Sequence, residues 1–135
     1  MFSVFFMKVL QIKENCLYVN DLSKTHQFYK EVMNFKVISY VKERHVFFRA
    51  GTSVLLCFLP EITKMEKKLP PHFAYGQQHL AFEVPLDEYN AWKKNLLKHK
   101  IAIINEQRWK DNLCSFYFYD PNQHLLEIVP PGIWE

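Results

Sequence analysis

Residues 116–129 read FYFYDPNQHLLEIV, a stretch that predicts a strand, a tight turn and a second strand. The DPN sequence at 120–122 supplies the turn, because Pro presets φ and the Asp and Asn side chains bond their own backbone. The second strand is apolar except for Glu127, which alternation places on one face with Leu125 and Val129. A carboxylate among aliphatic neighbours is costly to bury unless a metal ion, an Arg or a Lys pairs with it. The stretch therefore predicts a cationic partner for Glu127 and leaves its identity open.

Composition bounds the class of the protein. The 135 residues suit one domain, and 49% hydrophobic residues supply a full core and argue against disorder. The formal charge is only +3 and no Lys or Arg run exceeds two residues, which argues against nucleic acid as a partner. The apolar first residues lack a basic n-region and are too short to span a membrane. We expect a cytoplasmic protein without a membrane partner, translated from Met1 or Met7.

Cysteine usage points to a reducing compartment. Cys16, Cys57 and Cys114 are odd in number, form no CxxC pair and lie in predicted strands among apolar neighbours. We therefore expect three buried free thiols and no disulfide.

The predicted elements form an internal repeat, which is the first thing to test in any sequence. The first half reads as a strand, a helix capped by Asp21 and three strands, at 9–19, 22–33, 35–40, 46–49 and 53–59. The second half repeats this order, with strands at 79–84, 101–106, 113–119 and 125–129. Asp87 caps its helix, whose apolar stripe is formed by Tyr89, Trp92, Leu96 and Leu97. The connector at 60–76 is rich in Pro and Lys, and it is either a linker between modules or a lid over a site.

These elements predict the domain organisation of the chain. A single domain at 9–135 follows an N-terminal extension at 1–8. Within it we expect module one at 9–59, the connector at 60–76, module two at 77–130 and a C-terminal tail at 131–135.

The ordered motifs resemble the vicinal oxygen chelate superfamily, which contains glyoxalase I, extradiol dioxygenases, and fosfomycin and bleomycin resistance proteins. The motifs are YVNDL at 18–22, FY at 28–29, MNF at 33–35, HLAFEV at 79–84 and YFYDPNQHLLE at 117–127. The resemblance covers about residues 9–129. It implies a glyoxalase-like α+β fold, in which two βαβββ modules form a curved, cup-shaped mixed sheet with helices outside.

The resemblance also implies a metal site. The positions that match the ligands of the superfamily are Glu14, Leu56, His79 and Glu127. Leu56 cannot bind a metal, so the implied ligands of a divalent ion such as Zn, Ni, Mn or Fe are Glu14, His79 and Glu127. The first ligand position is commonly His or Gln, and here it is Glu14. In this respect the sequence resembles a bacterial glyoxalase-like branch that carries Glu at that position. From the residues alone there is an alternative to the metal site. In it, Glu14 is a solvated residue at a strand end, His79 is a core histidine with its hydrogen bonds satisfied, and Glu127 pairs with Arg49.

The ligand set bears on the reaction. One His with two Glu matches the two-His-one-carboxylate pattern of iron oxygenases less well than redox-neutral Lewis-acid chemistry. We therefore expect a metal-dependent lyase or isomerase acting on a small oxygenated organic substrate, with dioxygenase chemistry next. By the resemblance, Glu14 or Glu127 is the catalytic group that moves the proton. The alternative is a non-catalytic small-molecule binding protein of the bleomycin-resistance type. We also expect a homodimer, since small members of this fold usually dimerise.

Further side chains are candidates for substrate binding. Arg49 is suited to holding a carboxylate or phosphate, or else it pairs with a surface acid. Four aromatic residues line the cup or pack in the core: Trp109, Tyr117, Tyr119 and Trp134. His72 reaches the site from a lid or is solvated, and three histidines are expected at the surface: His45, His99 and His124. Gln123 replaces the glycine of the family turn, which predicts a different turn conformation or slight strain.

Overall fold

A computed structural model describes residues 6–135, so residues 1–5 of the predicted extension lie outside the described part. The first half of the chain forms β1 (Glu14–Tyr18), α1 (Leu22–Gln27), β2 (Lys36–Val41), β3 (His45–Ala50) and β4 (Ser53–Phe58). A turn of π-helix, Phe28–Val32, extends α1. The connector contains α2 (Pro60–Thr63). The second half forms β5 (His79–Glu83), α3 (Tyr89–Lys98), β6 (Asn105–Arg108), β7 (Cys114–Tyr119) and β8 (Leu125–Val129). The predicted repeat of βαβββ order is confirmed.

Each half builds its own sheet. The described strands form two four-stranded sheets, with the orders β1-β4-β3-β2 and β5-β8-β7-β6. The first and last strands of each half are parallel neighbours, whereas the other pairs are antiparallel. In both halves the beginning of the first strand lies beside the beginning of the last strand, with Glu14 opposite Val54 and His79 opposite Leu125.

One hydrophobic core joins the two halves. Alternation turns Leu17, Phe48 and Leu55 of the first sheet, and Phe116 and Leu126 of the second, inward against the helices, where they are at most 2% exposed. Burying each such side chain contributes about 1.5–3 kcal/mol relative to leaving it exposed. Alternate residues on the same strands point away from this core. The opposite face of each sheet is therefore open for other contacts, and we call these surfaces open face one and open face two.

Some element boundaries differ from the prediction. β1 begins at Glu14, because residues 9–12 are exposed and belong to no strand. β6 spans Asn105–Arg108 instead of 101–106, because Ile101 and Ile103 pack on the core from irregular chain. Asp87 does not cap α3. A 3-10 turn over Leu86–Glu88 precedes this helix, whose N-cap makes no side-chain hydrogen bond.

Helix α1 begins as predicted. Asp21 is its N-cap, and the side chain accepts a hydrogen bond from the Lys24 backbone amide at 3.0 Å. That bond satisfies one of the amides that a helix N-terminus leaves free.

One residue in the turn after β7 has a backbone conformation that favours glycine. Gln123 has φ 68°, in the left-handed region that costs an L-residue about 1–2 kcal/mol. Hydrogen bonds hold it there: Asp120 Oδ1 accepts from the amides of Asn122 at 2.8 Å and His124 at 2.9 Å. Of the two outcomes expected for this turn, the structure shows the slight strain of a residue other than glycine in the left-handed region.

Burial corrects two expectations about side chains. His45 and His124 are 6% and 1% exposed, so both are buried and not at the surface. Cys57 is buried as predicted, whereas Cys16 and Cys114 are half-buried, and all three thiols are free. No helix within residues 6–135 is both long and apolar enough to cross a membrane.

Candidate functional site

His79 and Glu127 form a contact on open face two. They lie on the neighbouring strands β5 and β8, and His79 Nε2 is 3.1 Å from Glu127 Oε1. The other ring nitrogen, Nδ1, lies 2.8 Å from the carbonyl oxygen of Leu125. A carbonyl only accepts, so Nδ1 carries a proton and donates it to Leu125. Nε2 faces a carboxylate oxygen of Glu127 at a distance that either a shared proton or a bound metal ion accounts for.

Of the two residues, Glu127 is buried and His79 is accessible to solvent. The side chain of Glu127 is 9% exposed, and that of His79 is 48% exposed. Tyr117 lies opposite Glu127 on β7, with its ring centroid 6.1 Å from that of His79. Burial raises the pKa of Tyr117, and the charge of Glu127 adds to the rise while a hydrogen bond with Ser115 opposes it. Its phenol therefore stays protonated and able to donate beside the carboxylate.

The donor set fits a divalent metal ion as half of a site. An imidazole nitrogen whose other N–H is held by a carbonyl is the usual arrangement of a metal-binding His, and a carboxylate suits borderline to hard cations. Within residues 6–135, no group of three or more His, Cys, Asp or Glu side chains is placed to hold an ion. Glu14 is exposed at the start of β1, in the other sheet. The structure thus brings two of the three predicted ligands together.

The alternative, in which Glu127 pairs with Arg49, does not hold. The acid contacts His79, whereas Arg49 is exposed near the end of β3, opposite Lys36 and Val54 in the first sheet.

Open face one is aromatic. Phe47 and Phe58 meet edge to face with ring centroids 5.3 Å apart, and His72 of the connector stacks on Phe58 at 4.0 Å. His72 is therefore half-buried and not solvated, and the connector folds back over this face. Its Nδ1 lies 3.9 Å from the Sγ of Cys16. Burial, with the nearby Glu14, raises the pKa of the Cys16 thiol, which keeps it neutral beside the imidazole.

Three of the predicted aromatic residues lie on open face two with His79 and Glu127. Tyr117 and Tyr119 alternate along β7, and Trp109 donates from Nε1 to Ser115 Oγ of the same strand at 2.8 Å. Trp134 is 89% exposed in the C-terminal tail.

Two residues that sequence reasoning missed, Gln78 and His124, join the modules beside this site. The side chain of Gln78 bonds the backbone of β1, and the imidazole of His124 donates to the Tyr18 carbonyl at 2.7 Å. Their partners are far away along the chain, so no local pattern could reveal them.

Comparison with known proteins agrees with this architecture. The family model described as a glyoxalase-like domain matches residues 12–131. Metallothiol transferase FosB of Staphylococcus saprophyticus is 28% identical over 113 residues, which cover 82% of this chain and 70% of that protein.

Solved structures show the same fold. A lactoylglutathione lyase from Agrobacterium tumefaciens is 28% identical with a TM-score of 0.88, and the match covers 94% of this chain and 98% of that one. A mutant of the fosfomycin resistance protein FosX from Listeria monocytogenes, complexed with Mn(II) and 1S,2S-dihydroxypropylphosphonic acid, is 22% identical with a TM-score of 0.67, and the match covers 90% of each chain. The motifs, the duplicated sheets and the family match together show that this chain belongs to the glyoxalase-like domain family of the vicinal oxygen chelate superfamily.

Proposed function

We propose that this protein is a metal-dependent enzyme that acts on a small oxygenated organic substrate by redox-neutral proton-transfer chemistry, as a lyase, isomerase or group transferase. The observation that supports it most directly is the contact between His79 Nε2 and Glu127 Oε1 at 3.1 Å, with Nδ1 held by the Leu125 carbonyl. At this distance the His79 nitrogen and the Glu127 oxygen need either a proton or a metal ion between them. The accessible His79 and the open face around it favour the metal ion, because a purely structural ion pair gains little from a half-exposed partner.

The chain supplies the groups that such a reaction needs. A divalent ion bound there would polarise a substrate oxygen as a Lewis acid. Glu127 is shielded from water and suited to holding or moving a proton. Tyr117 is positioned to donate a hydrogen bond to a substrate on the same face. Trp109 and Tyr119 offer apolar surface to the rest of that substrate, and Arg49 and Trp134 are further candidates for contacts with it.

The relatives favour redox-neutral chemistry over dioxygenase chemistry. Two relatives that are 28% identical to this chain are named a metallothiol transferase and a lactoylglutathione lyase, and neither name describes an oxygenase. A single histidine beside a carboxylate also departs from the two-His-one-carboxylate set of iron oxygenases. We propose that Zn, Ni or Mn is the ion in preference to Fe.

The third ligand in this proposal is Glu14 of a second copy of the chain. Within the described residues Glu14 belongs to no group of three potential ligands, yet it is exposed and occupies in module one the place that His79 has in module two. Pairing of two copies would let open face one of one chain meet open face two of the other. We therefore propose a homodimer with two equivalent sites, in which Glu14 and Glu127 are the candidates for proton transfer.

Metal analysis tests the proposal. Protein purified without chelator and dialysed against Zn²⁺, Ni²⁺, Mn²⁺ or Co²⁺ should retain one equivalent of ion per chain, measured by mass spectrometry of the metal. The double variant His79→Ala/Glu127→Ala should retain none, while the control His99→Ala/Glu88→Ala, which removes the same residue types elsewhere, should bind as the wild type does. A wild-type protein that retains no ion refutes the proposal. The loaded protein should then catalyse either a lactoylglutathione-lyase or a thiol-transfer reaction.

A complementation experiment tests the shared site. Glu14→Ala and His79→Ala proteins should each bind metal poorly, but refolding a mixture of the two should restore binding in part, because hybrid dimers contain one intact site. No recovery, or a monomer by light scattering, would place all the ligands in one chain or exclude Glu14.

The rival function is ligand sequestration without metal. The aromatic surface made by Phe47, Phe58 and His72 favours it, because stacked rings are suited to a flat apolar ligand. Tight binding of an aromatic ligand by a metal-free wild-type protein would support the rival.

A further inference from the structure

The start of β5 is tied to β1 by a small polar network. Gln78 directly precedes His79, and its side chain acts like a neighbouring strand: Nε2 donates to the Cys16 carbonyl and Oε1 accepts from the Tyr18 amide, both at 3.0 Å. These two bonds satisfy backbone groups on the side of β1 that faces away from β4.

His124 completes the link on the module-two side. Its Nδ1 accepts from the Gln78 backbone amide at 3.0 Å, so Nε2 carries the proton and donates to the Tyr18 carbonyl at 2.7 Å. The imidazole is 1% exposed and both nitrogens are bonded, which leaves it one orientation and one tautomer. We call Tyr18, Gln78, His124 and Asp120 the inter-module latch.

Asp120 anchors the latch in the core. It is 2% exposed, accepts from the His124 amide at 2.9 Å, and accepts from the hydroxyl of the fully buried Tyr29 at 2.7 Å. Burial, with the neighbouring carboxylate of Asp120, raises the pKa of Tyr29 well above its usual range, so the phenol remains a donor. The latch therefore runs from helix α1 of module one through the turn of module two and back to β1.

The latch is continuous with the metal-ligand pair. The Leu125 amide donates to the Gln78 carbonyl at 2.8 Å, and the Leu125 carbonyl accepts from His79 Nδ1 at the same distance. Gln78 thus holds the residue that orients the His79 ring, and it also sets where β5 begins relative to β1.

We propose that Gln78, acting through the inter-module latch, is a positioning residue for the metal site. This inference rests on the proposed function, because it assigns a role in metal binding to a residue that cannot itself reach the ion. Loss of the two side-chain bonds would let β5 shift against β1, which changes the direction of the His79 ring relative to Glu127. Groups that orient metal ligands are typically worth about 10–100-fold in metal affinity.

The test compares Co²⁺ binding in four full-length proteins: wild type, Gln78→Leu, Gln78→Asn and the matched control Gln77→Leu. Gln77 is the exposed neighbour and makes no hydrogen bond recorded within the described residues. Gln78→Leu removes both bonds, and Gln78→Asn keeps the amide but is one methylene too short to span them. Both Gln78 variants should bind Co²⁺ about tenfold more weakly, with an altered d–d absorption spectrum, whereas Gln77→Leu should match the wild type.

Thermal unfolding of the apoproteins separates positioning from simple stabilisation. A lower Tm with unchanged Co²⁺ affinity and spectrum in the Gln78 variants would overturn the inference, since the latch would then be structural only. Gln78→Asn exchanges one amide for another at a half-buried position and should fold even if Gln78→Leu does not. If the wild-type protein binds no Co²⁺, the proposed function itself is refuted. If the Gln78 variants bind Co²⁺ as tightly as the wild type does, only the inference about Gln78 is refuted.

Discussion

The two modules share one scaffold and differ in what their open faces offer. In module two the parallel strands β5 and β8 bring His79 and Glu127 within 3.1 Å. In module one the parallel strands β1 and β4 bring Glu14 and Leu56 to the equivalent places, where Leu56 offers no lone pair. The scaffold therefore sets the position of a ligand pair, and the side chain on the last strand decides whether that module can hold an ion.

The turns that lead into these last strands differ as well. In module one, Ala50 and Ser53 pair across a two-residue loop. In module two, Tyr119 and Leu125 pair across residues 120–124, and this longer loop contains the buried Asp120 and His124. The extra residues let module two bond to module one, so the longer turn serves the joint between the modules.

Glu127→Leu gives module two the side chain that module one already has, and it should have the largest effect. Metal affinity should fall by at least about 100-fold, more than the range for groups that only orient ligands, because module two would keep only one of its two ligands, His79. Calorimetric titration with Co²⁺ measures the loss. Glu83→Leu, an exposed position on the same side of β5, is the control, and wild-type affinity in Glu127→Leu would show that the modules do not differ in this way.

Asp120→Ala tests the role of the longer turn. It should lower the free energy of unfolding by about 3 kcal/mol or more, because it removes a charged acceptor from three donors and leaves the buried Tyr29 hydroxyl unpaired. Urea denaturation gives the value. Arg49 lies near the end of β3, the strand that leads into the turn of module one, and is exposed, so Arg49→Ala should stay within about 0.5 kcal/mol of the wild type. Equal effects at the two positions would contradict the comparison.

Left-handed residues in the two turns should respond in opposite directions. Gly51 has φ 61° and Gln123 has φ 68°. Gly51→Ala should cost about 1 kcal/mol, and Gln123→Gly should stabilise by up to about 1 kcal/mol, because only glycine adopts this conformation without steric cost. The shift in urea midpoint measures both, and a destabilised Gln123→Gly protein would indicate that the Gln side chain contributes contacts beyond the backbone.

The smallest effect concerns the outer strand of module two. Glu106 on β6 pairs with Lys93 of α3 and accepts from Tyr89 at 2.6 Å, and these partners lower the pKa of its carboxyl below the ordinary value of 4.5. Because the pKa of Glu106 is lower in the folded protein than in the unfolded chain, its contacts stabilise the fold at pH values above the unfolded-state pKa. That contribution is lost as the pH falls through the folded-state pKa. Glu106 is 40% exposed, so Glu106→Gln should cost under about 1 kcal/mol at neutral pH and flatten the decline of Tm below pH 4.5. An unchanged acid profile would show that the pair contributes nothing.

Prediction from the sequence succeeded where the relevant physics is local. Alternation placed Glu127 on the open side of β8, and the Asp21 cap and the helical spacing after it located α1. It failed for β6, because Ile101 and Ile103 are apolar at strand-like spacing yet pack on the core without a neighbouring strand. His124 was also misjudged, since a histidine after a Pro turn is usually solvated and only partners in the other module bury it.

Residue pattern alone determined the duplicated βαβββ order, which follows from hydrophobic periodicity and turn chemistry acting over a few residues. The resemblance of the ordered motifs to the superfamily then implied His79 and Glu127 as candidate ligands. Only the tertiary structure decided that His79 Nε2 and a Glu127 carboxylate oxygen face each other, that Glu14 lies apart from them, and that Gln78 and His124 join the modules. These depend on how two sheets pack against one core, which brings together side chains that are far apart along the chain.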